Sequence, residues 1–304
     1  MSDGDKPLAW KLRSIVGEEN VLADEPMSEH TTFKVGGPAD LYVIPDDFDE
    51  VREVIAACKE AGEQYFLLGC GSDLLVADEG YRGVIICLAD GLLGVSVEGT
   101  EICCQAGVSL REASEMACEL GLSGLEFACG IPGSVGGACF MNAGAYGGCI
   151  ADVLKEVRVL LADGSVDDVA VDELDLGYRH SRIADEGWVV LSATFDLDRA
   201  KSEDIREKMD DLTRQREEKQ PLELPSAGST FKRPEGYFAG KLITDAGLRG
   251  YQSGGAAVSK KHAGFVVNMG DATAADVHAV IEHVQDEVER QFGVRLEPEV
   301  RFLG

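Results

Sequence analysis

The chain has 304 residues, 45% of them hydrophobic, a formal net charge of -27 and nine cysteines. That length and apolar content suit two or three domains with real cores, and the acidic balance argues against a nucleic-acid or anionic-membrane partner. The odd cysteine count without a C-x-x-C pair excludes a disulfide framework or a zinc site. The opening residues carry no apolar signal core and no run approaches a membrane span, so a reducing cytoplasm is the expected setting.

In chain order, residues 41–44 predict a short strand. A helix follows from Pro45-Asp46-Asp47, with Phe48, Val51, Val54, Ile55 and Cys58 on one face and Gly62 as its stop. Residues 65–68 and 84–88 predict two further strands. Residues 93–106 predict a hairpin around Gly99-Thr100, and 109–120 a helix capped by Ser109 with Glu112 three residues on. Residues 121–150 hold nine glycines and no period. Strands return over 157–161, 169–171 and 188–197, and a charged helix spans 200–220.

From Pro225 to Phe265 the chain is glycine-rich and locally basic. Six cations (Lys232, Arg233, Lys241, Arg249, Lys260, Lys261) face two acids (Glu235, Asp245), which calls for an anionic ligand. A helix over 273–291 carries the stripe Val277, Val280, Ile281, Val284, Val288 and Phe292, with Thr273 and Asp276 as its cap. The last segment alternates, with Val294, Leu296, Val300 and Phe302 on one face, and Pro298 marks a strand end.

Familiar chemistry motifs fail. Gly69-Cys70-Gly71 lacks the third glycine of a dinucleotide fingerprint, since position 74 is Leu. Gly236 to Lys241 has the wrong spacing for a phosphate loop. No G-x-S-x-G elbow exists, and the five histidines show no metal spacing. Two glycine-rich stretches remain, 68–75 and 130–148. Glycine lets successive N–H groups approach phosphate oxygens. Because no Lys or Arg lies between Arg111 and Lys155, a phosphate there must be held by backbone dipoles and hydroxyls such as Ser134. Ordinary tight turns are the competing explanation.

The order of short segments resembles the UDP-N-acetylenolpyruvoylglucosamine reductases. They are Thr31 to Asp40, Gly69 to Leu75, Gly130 to Gly137, Asn142 to Tyr146, Gly177 to Arg182, Ala227 to Lys232, Lys261 to Asn268 and Glu299 to Gly304. The resemblance covers nearly the whole chain. It implies an α+β vanillyl-alcohol-oxidase/PCMH-type fold, with two FAD-binding subdomains (1–90 and 91–200) and a C-terminal substrate-binding domain (201–304). It implies non-covalent FAD, because the first glycine loop has Cys70 where some oxidases of the wider fold carry a linking histidine. NADPH would be the co-substrate and a UDP-sugar the substrate, with no metal. The run from Phe195 to Asp198 straight into the charged helix leaves no room for the family's tyrosine-bearing insertion, so the chain matches the shorter form.

The resemblance also implies residue roles. Gly69, Cys70, Gly71, Ser72, Asp73, Leu74, Gly130, Pro132, Gly133, Ser134, Gly136, Gly137, Asn142, Ala143 and Gly144 would hold the cofactor. Ser229 would deliver a proton to C2 of the enolpyruvyl group after hydride arrives at C3. Arg179 would face the substrate carboxylate, with Arg182 as its competitor. Glu299 would share a proton with the enediol oxygen or order a water, with Glu297 as the confusable neighbour. Tyr178, Lys232, Lys241 and His262 would bind substrate. Other readings are an FAD-dependent sugar or alcohol oxidase of the same fold, and a non-catalytic nucleotide-binding module.

Overall fold

A computed structural model describes residues 7–304. Its contacts divide the chain into two units. One comprises the residues up to Ala23, Leu41–Cys70 and Gly83–Arg216; the other comprises Asp24–Asp40, Gly71–Arg82 and Glu217–Gly304. The expected spans 1–90, 91–200 and 201–304 are cut differently here. Two N-terminal segments, 24–40 and 71–82, pack with the C-terminal part, and nothing in their composition signals it.

Two larger sheets lie mostly in the residues of the first unit, three strands of the smaller one running on into 24–26, 38–40 and 81–82 of the second. One has four strands in the order Val21–Pro26, Pro38–Val43, Tyr81–Cys87 and Tyr65–Leu68, the last two parallel. The other has five antiparallel strands in the order Val166–Ala170, Leu154–Leu160, Val189–Asp196, Glu101–Gln105 and Val95–Glu98. Helix α1 (Pro7–Val16) packs on α2 (Phe48–Ala61). The expected start and stop of α2 are real: the Asp47 carboxylate accepts from the Glu50 amide at 2.8 Å and Gly62 closes the helix at φ 69°. Helix α3 (Leu110–Glu119) has the expected Ser109–Glu112 capping box. Such caps each contribute about 1 kcal/mol. Leu12, Val54, Ile86, Ile102, Leu110, Val157 and Phe195 share one buried core, each stabilised by roughly 1.5–3 kcal/mol of burial.

The aperiodic stretch 121–150 contains a helix that its glycines conceal, α4 (Val135–Phe140), capped by Ser134. Helix α5 (Arg182–Glu186) is short, and α6 (Ser202–Lys219) is the charged helix expected over 200–220. Ahead of α4 lies a buried carboxylate. Glu126 is 3% exposed and accepts from the Ser123 hydroxyl at 2.6 Å and the Gly124 amide at 3.0 Å, with Lys208 of α6 at 3.4 Å. Burial alone would raise its pKa. Those hydrogen bonds, its own amide and Lys208 outweigh burial and hold it below the ordinary glutamate value.

A depressed folded pKa contributes stability above the unfolded value that is lost as pH falls through the folded one. Glu126→Gln should therefore cost about 1.5–3 kcal/mol at pH 7, the scale of hydrogen bonds to charged groups. Urea melts should show that deficit shrinking as pH falls below the ordinary glutamate range. A deficit unchanged with pH would mean that the charge contributes nothing.

The second unit has its own core, including Phe33, Leu75, Leu242, Val258, Val277, Ile281 and Leu296. Helix α7 (Ala239–Asp245) and helix α8 (Ala274–Phe292) belong to it, with a three-stranded antiparallel sheet, Gln252–Ser253, Ala256–Val258 and Val266–Asn268. The Thr273–Asp276 capping box of α8 is present. Asp78 adds a second carboxylate there, accepting from the Ala274 and Ala275 amides at 2.7 and 3.0 Å. The buried Asn268 donates to the Phe33 carbonyl at 3.0 Å.

The terminal alternation holds only in part. Residues 297–299 run beside 230–232, and then Arg301–Leu303 pairs in parallel with Leu74–Val76. Changing partner around Pro298 breaks the period. Leu296 and Val300 are buried, whereas Phe302 is 47% exposed and lies edge-on to His278.

Candidate functional site

The strand Tyr65–Leu68 ends at the first glycine loop, and the chain turns through Gly69-Cys70-Gly71-Ser72 to the strand Leu74–Val76. The amides of these four residues donate to no acceptor among the described residues. Half-buried N–H groups normally find partners, and consecutive open amides form an anion-binding concavity. Glycine is obligatory at two positions. A Cβ on Gly69 would stand 2.4 Å from Ser134 Oγ, and one on Gly71, at φ 59°, would stand 1.9 Å from the His30 carbonyl oxygen.

The Gly69 contact brings Ser134, of the second glycine stretch, against the first residue of that loop, both in the first unit. That second stretch works differently from the expectation that its amides hold phosphate. The Ile131, Gly133, Val135 and Gly136 amides already donate to the carbonyls of Ala128, Ile131, Val108 and Ala106, and Gly137 donates to Ser134 Oγ at 3.3 Å. Its glycines serve close approach more than N–H supply. These open amides and cramped glycines fit a dinucleotide pyrophosphate.

Sequence reasoning missed one cation. Arg216, in the last turn of α6, has Cδ 2.9 Å from where a Cβ on Gly130 would stand. Its neighbours include Tyr146 and Arg111, and it makes no ion pair or hydrogen bond among the described residues. Burial lowers its pKa, Tyr146 and Cys129 oppose, and Arg111 lowers it further. An arginine remains charged regardless. A half-buried guanidinium beside a second cation, in so acidic a chain, needs an anion. The cation-free stretch between Arg111 and Lys155 is thus served from elsewhere in the sequence.

Cys70 is inert as a nucleophile. Burial, then the carboxylates of Asp90 and Glu112, push its thiol up to about 11, and only a thiolate attacks.

Tyr178 and Arg179 are the central pair of a tight turn closed by Gly177 and His180. Arg179 takes φ 54°, a left-handed conformation costly for a side-chain-bearing residue, and its guanidinium carbon lies 5.2 Å from the Tyr178 ring centre. Such an outlier suits a functional position. The competitor Arg182 lies 4.8 Å from the Trp188 ring centre and 3.8 Å from Glu186. Asn142, expected at the cofactor, instead spends both side-chain polar atoms on backbone: Nδ2 donates to Gly177 O and Oδ1 accepts from Ala151 N, each at 3.0 Å.

In the second unit, Thr230 is fully buried. Its amide donates to Gly264 O, its hydroxyl accepts from Val266 N and its carbonyl accepts from Glu299 N. This fixes the backbone next to the exposed Ser229, and the half-buried Glu299 is the partner of Thr230 across the pairing. Glu297 points to a different role, since its carboxylate pairs with Lys232.

The expected positive field is partly neutralised by the pairs Lys232–Glu297, Lys241–Asp245 and Lys261–Glu223. Arg249 binds Thr244 and the Lys260 and Lys261 carbonyls. Arg233 stacks on Phe238 at 4.0 Å. His262, expected to bind substrate, adds little charge there: burial pushes its pKa down, a backbone hydrogen bond opposes and Arg249 adds to the lowering, while Nδ1 accepts from Gly264 N at 3.2 Å. Among the described residues no cluster of His, Cys, Asp and Glu is placed to hold a metal, and no helix is long and apolar enough to cross a membrane.

Comparison with known proteins agrees over both units. Residues 39–170 match the FAD binding domain family, and 220–303 match the UDP-N-acetylenolpyruvoylglucosamine reductase C-terminal domain. A UDP-N-acetylenolpyruvoylglucosamine reductase of Clostridium perfringens is 51% identical over 96% of both chains. The crystal structure of the reductase from Thermus caldophilus superimposes with TM-score 0.79 at 33% identity, covering 93% of this chain and 98% of that one. An alkyldihydroxyacetonephosphate synthase, 15% identical with TM-score 0.50 over 64% of this chain and 41% of that one, shares the fold alone. With these relatives matched across nearly its whole length, the chain belongs to the UDP-N-acetylenolpyruvoylglucosamine reductase family.

Proposed function

We propose that this FAD-containing oxidoreductase reduces UDP-N-acetyl-3-O-(1-carboxyvinyl)-glucosamine to UDP-N-acetylmuramate, in the cytoplasm, for peptidoglycan precursor synthesis. FAD is its cofactor and NADPH its co-substrate. The observation that carries this is the run of open amides from Gly69 to Ser72, on a chain that matches the family over 96% of its length. Bound FAD would supply the two-electron redox chemistry between NADPH and the substrate double bond.

The chain's own residues do the rest. The open amides of 69–72 and the Arg216 guanidinium hold the pyrophosphate, with Ser134 and the 130–137 and 143–144 backbone pressed alongside. The protonated Cys70 leaves FAD non-covalent. Arg179, with Tyr178 under it, neutralises the substrate carboxylate, whose charge grows as C2 becomes carbanionic. Ser229 gives the proton to C2, and Glu299 holds the enediol oxygen or a water beside it. Lys232 and Lys241 must exchange Glu297 and Asp245 for substrate phosphates, and the neutral His262 acts by hydrogen bonding. The two larger sheets form the cofactor-holding part, and the second unit is the substrate-binding part.

Arg216→Gln should weaken FAD by about 10-fold or more, the scale of one charge-assisted contact, as read by flavin titration of the apoprotein. Unchanged affinity would remove Arg216 from the cofactor site.

The test of function is anaerobic. NADPH should bleach the absorbance near 450 nm, and the enolpyruvyl UDP-sugar should restore it. Colour that returns only with oxygen and yields peroxide would favour the oxidase alternative. A colourless protein that cannot be loaded with flavin would favour a binding module.

A further inference from the structure

The least expected contact in the first unit joins the second glycine stretch to the turn that carries Arg179. Asn142 is buried and is itself left-handed, at φ 46°. Its amide is clamped at both ends, with Oδ1 on the Ala151 amide and Nδ2 on the Gly177 carbonyl. Only a side chain with one donor and one acceptor satisfies both partners. The Gly177 carbonyl also accepts the His180 amide, at 3.4 Å, so the 3.0 Å bond from Asn142 is the shorter of its two.

Ser181 supplies a second anchor. It is fully buried, its hydroxyl donates to the Phe140 carbonyl at the end of α4, and it accepts from the Ala184 amide at 3.2 Å. The base of the loop closes where Arg182 N donates to Leu174 O at 2.7 Å. Between these anchors stands Arg179 in its left-handed conformation, which costs roughly 1–2 kcal/mol. Free of restraint, such a turn relaxes to a commoner form and re-aims the guanidinium.

We propose that Asn142 is a positioning residue for Arg179: through the Gly177 carbonyl it holds the Tyr178-Arg179 turn in the left-handed form that aims the guanidinium. The inference rests on the proposed role of Arg179 at the substrate carboxylate. It gives Asn142 a different duty from the cofactor contact expected of it.

The test uses the FAD-loaded full chain. Asn142→Asp keeps an acceptor for the Ala151 amide but sets a carboxylate oxygen against the Gly177 carbonyl, so it removes the turn contact selectively. Flavin content and the rate of flavin reduction by NADPH should stay near wild type. Flavin reoxidation by the enolpyruvyl substrate should slow by about 10–100-fold, the scale of a misplacement near 1 Å. Arg179→Ala should slow reoxidation at least as much, and the double variant should be no slower than Arg179→Ala alone, as expected of two residues acting as one.

Asn142→Gly, which a left-handed backbone accepts freely, gives the same readout if the aspartate variant does not fold. Loss of flavin, or equal slowing of both half-reactions, would overturn the inference in favour of a cofactor or purely structural role. Full additivity with Arg179→Ala would overturn it as well. If Arg179→Ala itself leaves reoxidation untouched, the role of Arg179 fails and the inference fails with it.

Discussion

Ser229→Ala is expected to spare flavin reduction by NADPH and to slow reoxidation by the enolpyruvyl substrate by several orders of magnitude, beyond the roughly 10²–10⁴-fold usual for loss of a general acid. A serine hydroxyl is a poor acid in water, so its use here demands a strongly basic acceptor and a fixed approach. The fold supplies the fixing. Thr230, next in sequence, is bonded on three sides, to Gly264, Val266 and Glu299, which leaves the backbone of the exposed Ser229 little freedom. Stopped-flow measurement of the two half-reactions separates chemistry from folding. Equal loss in both would assign Ser229 a structural role and remove it from proton delivery.

Gly71→Ala is expected to be the most damaging single methyl in the first loop. The added carbon would stand 1.9 Å from the His30 carbonyl oxygen, at a φ of 59°. Backbone must move on one side or the other, and we expect a loss of about 3 kcal/mol or more, the upper range for point mutants. At about 2–4 °C per kcal/mol this lowers Tm by roughly 6–12 °C. Gly99→Ala provides the comparison. Its φ is 65°, yet nothing lies within 4 Å of the new carbon, so it should cost only the left-handed strain of about 1–2 kcal/mol. Equal shifts in Tm for the two variants would mean that the carbonyl contact is not what demands glycine at 71.

What the sequence makes legible is what is decided locally. Asp47 with Gly62, Ser109 with Glu112 and Thr273 with Asp276 each set a helix end within a few residues, and all three appear as expected. The hairpin at Gly99-Thr100 pairs Glu98 with Glu101 for the same reason. Helix α4 was hidden because Gly136 and Gly137 are poor helix formers, held there by the Ser134 cap and by bonds to Val108 and Ala106 rather than by propensity. Arg216 at Gly130 could not be found by spacing, since the two residues lie on different elements far apart in sequence. The neutrality of His262 and the pairing of Glu297 with Lys232 depend on burial and on partners that no periodicity encodes. Ser229, Arg179 and Glu299 were singled out by resemblance, and the structure adds surroundings that suit those roles: a rigid backbone, a left-handed turn and a neighbour across the 230–232 and 297–299 pairing.

The second unit is stitched from three separate pieces of chain, and its parallel pair joins Leu74–Val76 to Arg301–Leu303. During synthesis the three apolar residues Leu74, Leu75 and Val76 emerge long before the strand that will cover their edge. For most of translation they form an unsatisfied β-edge, the kind of segment on which nascent chains aggregate.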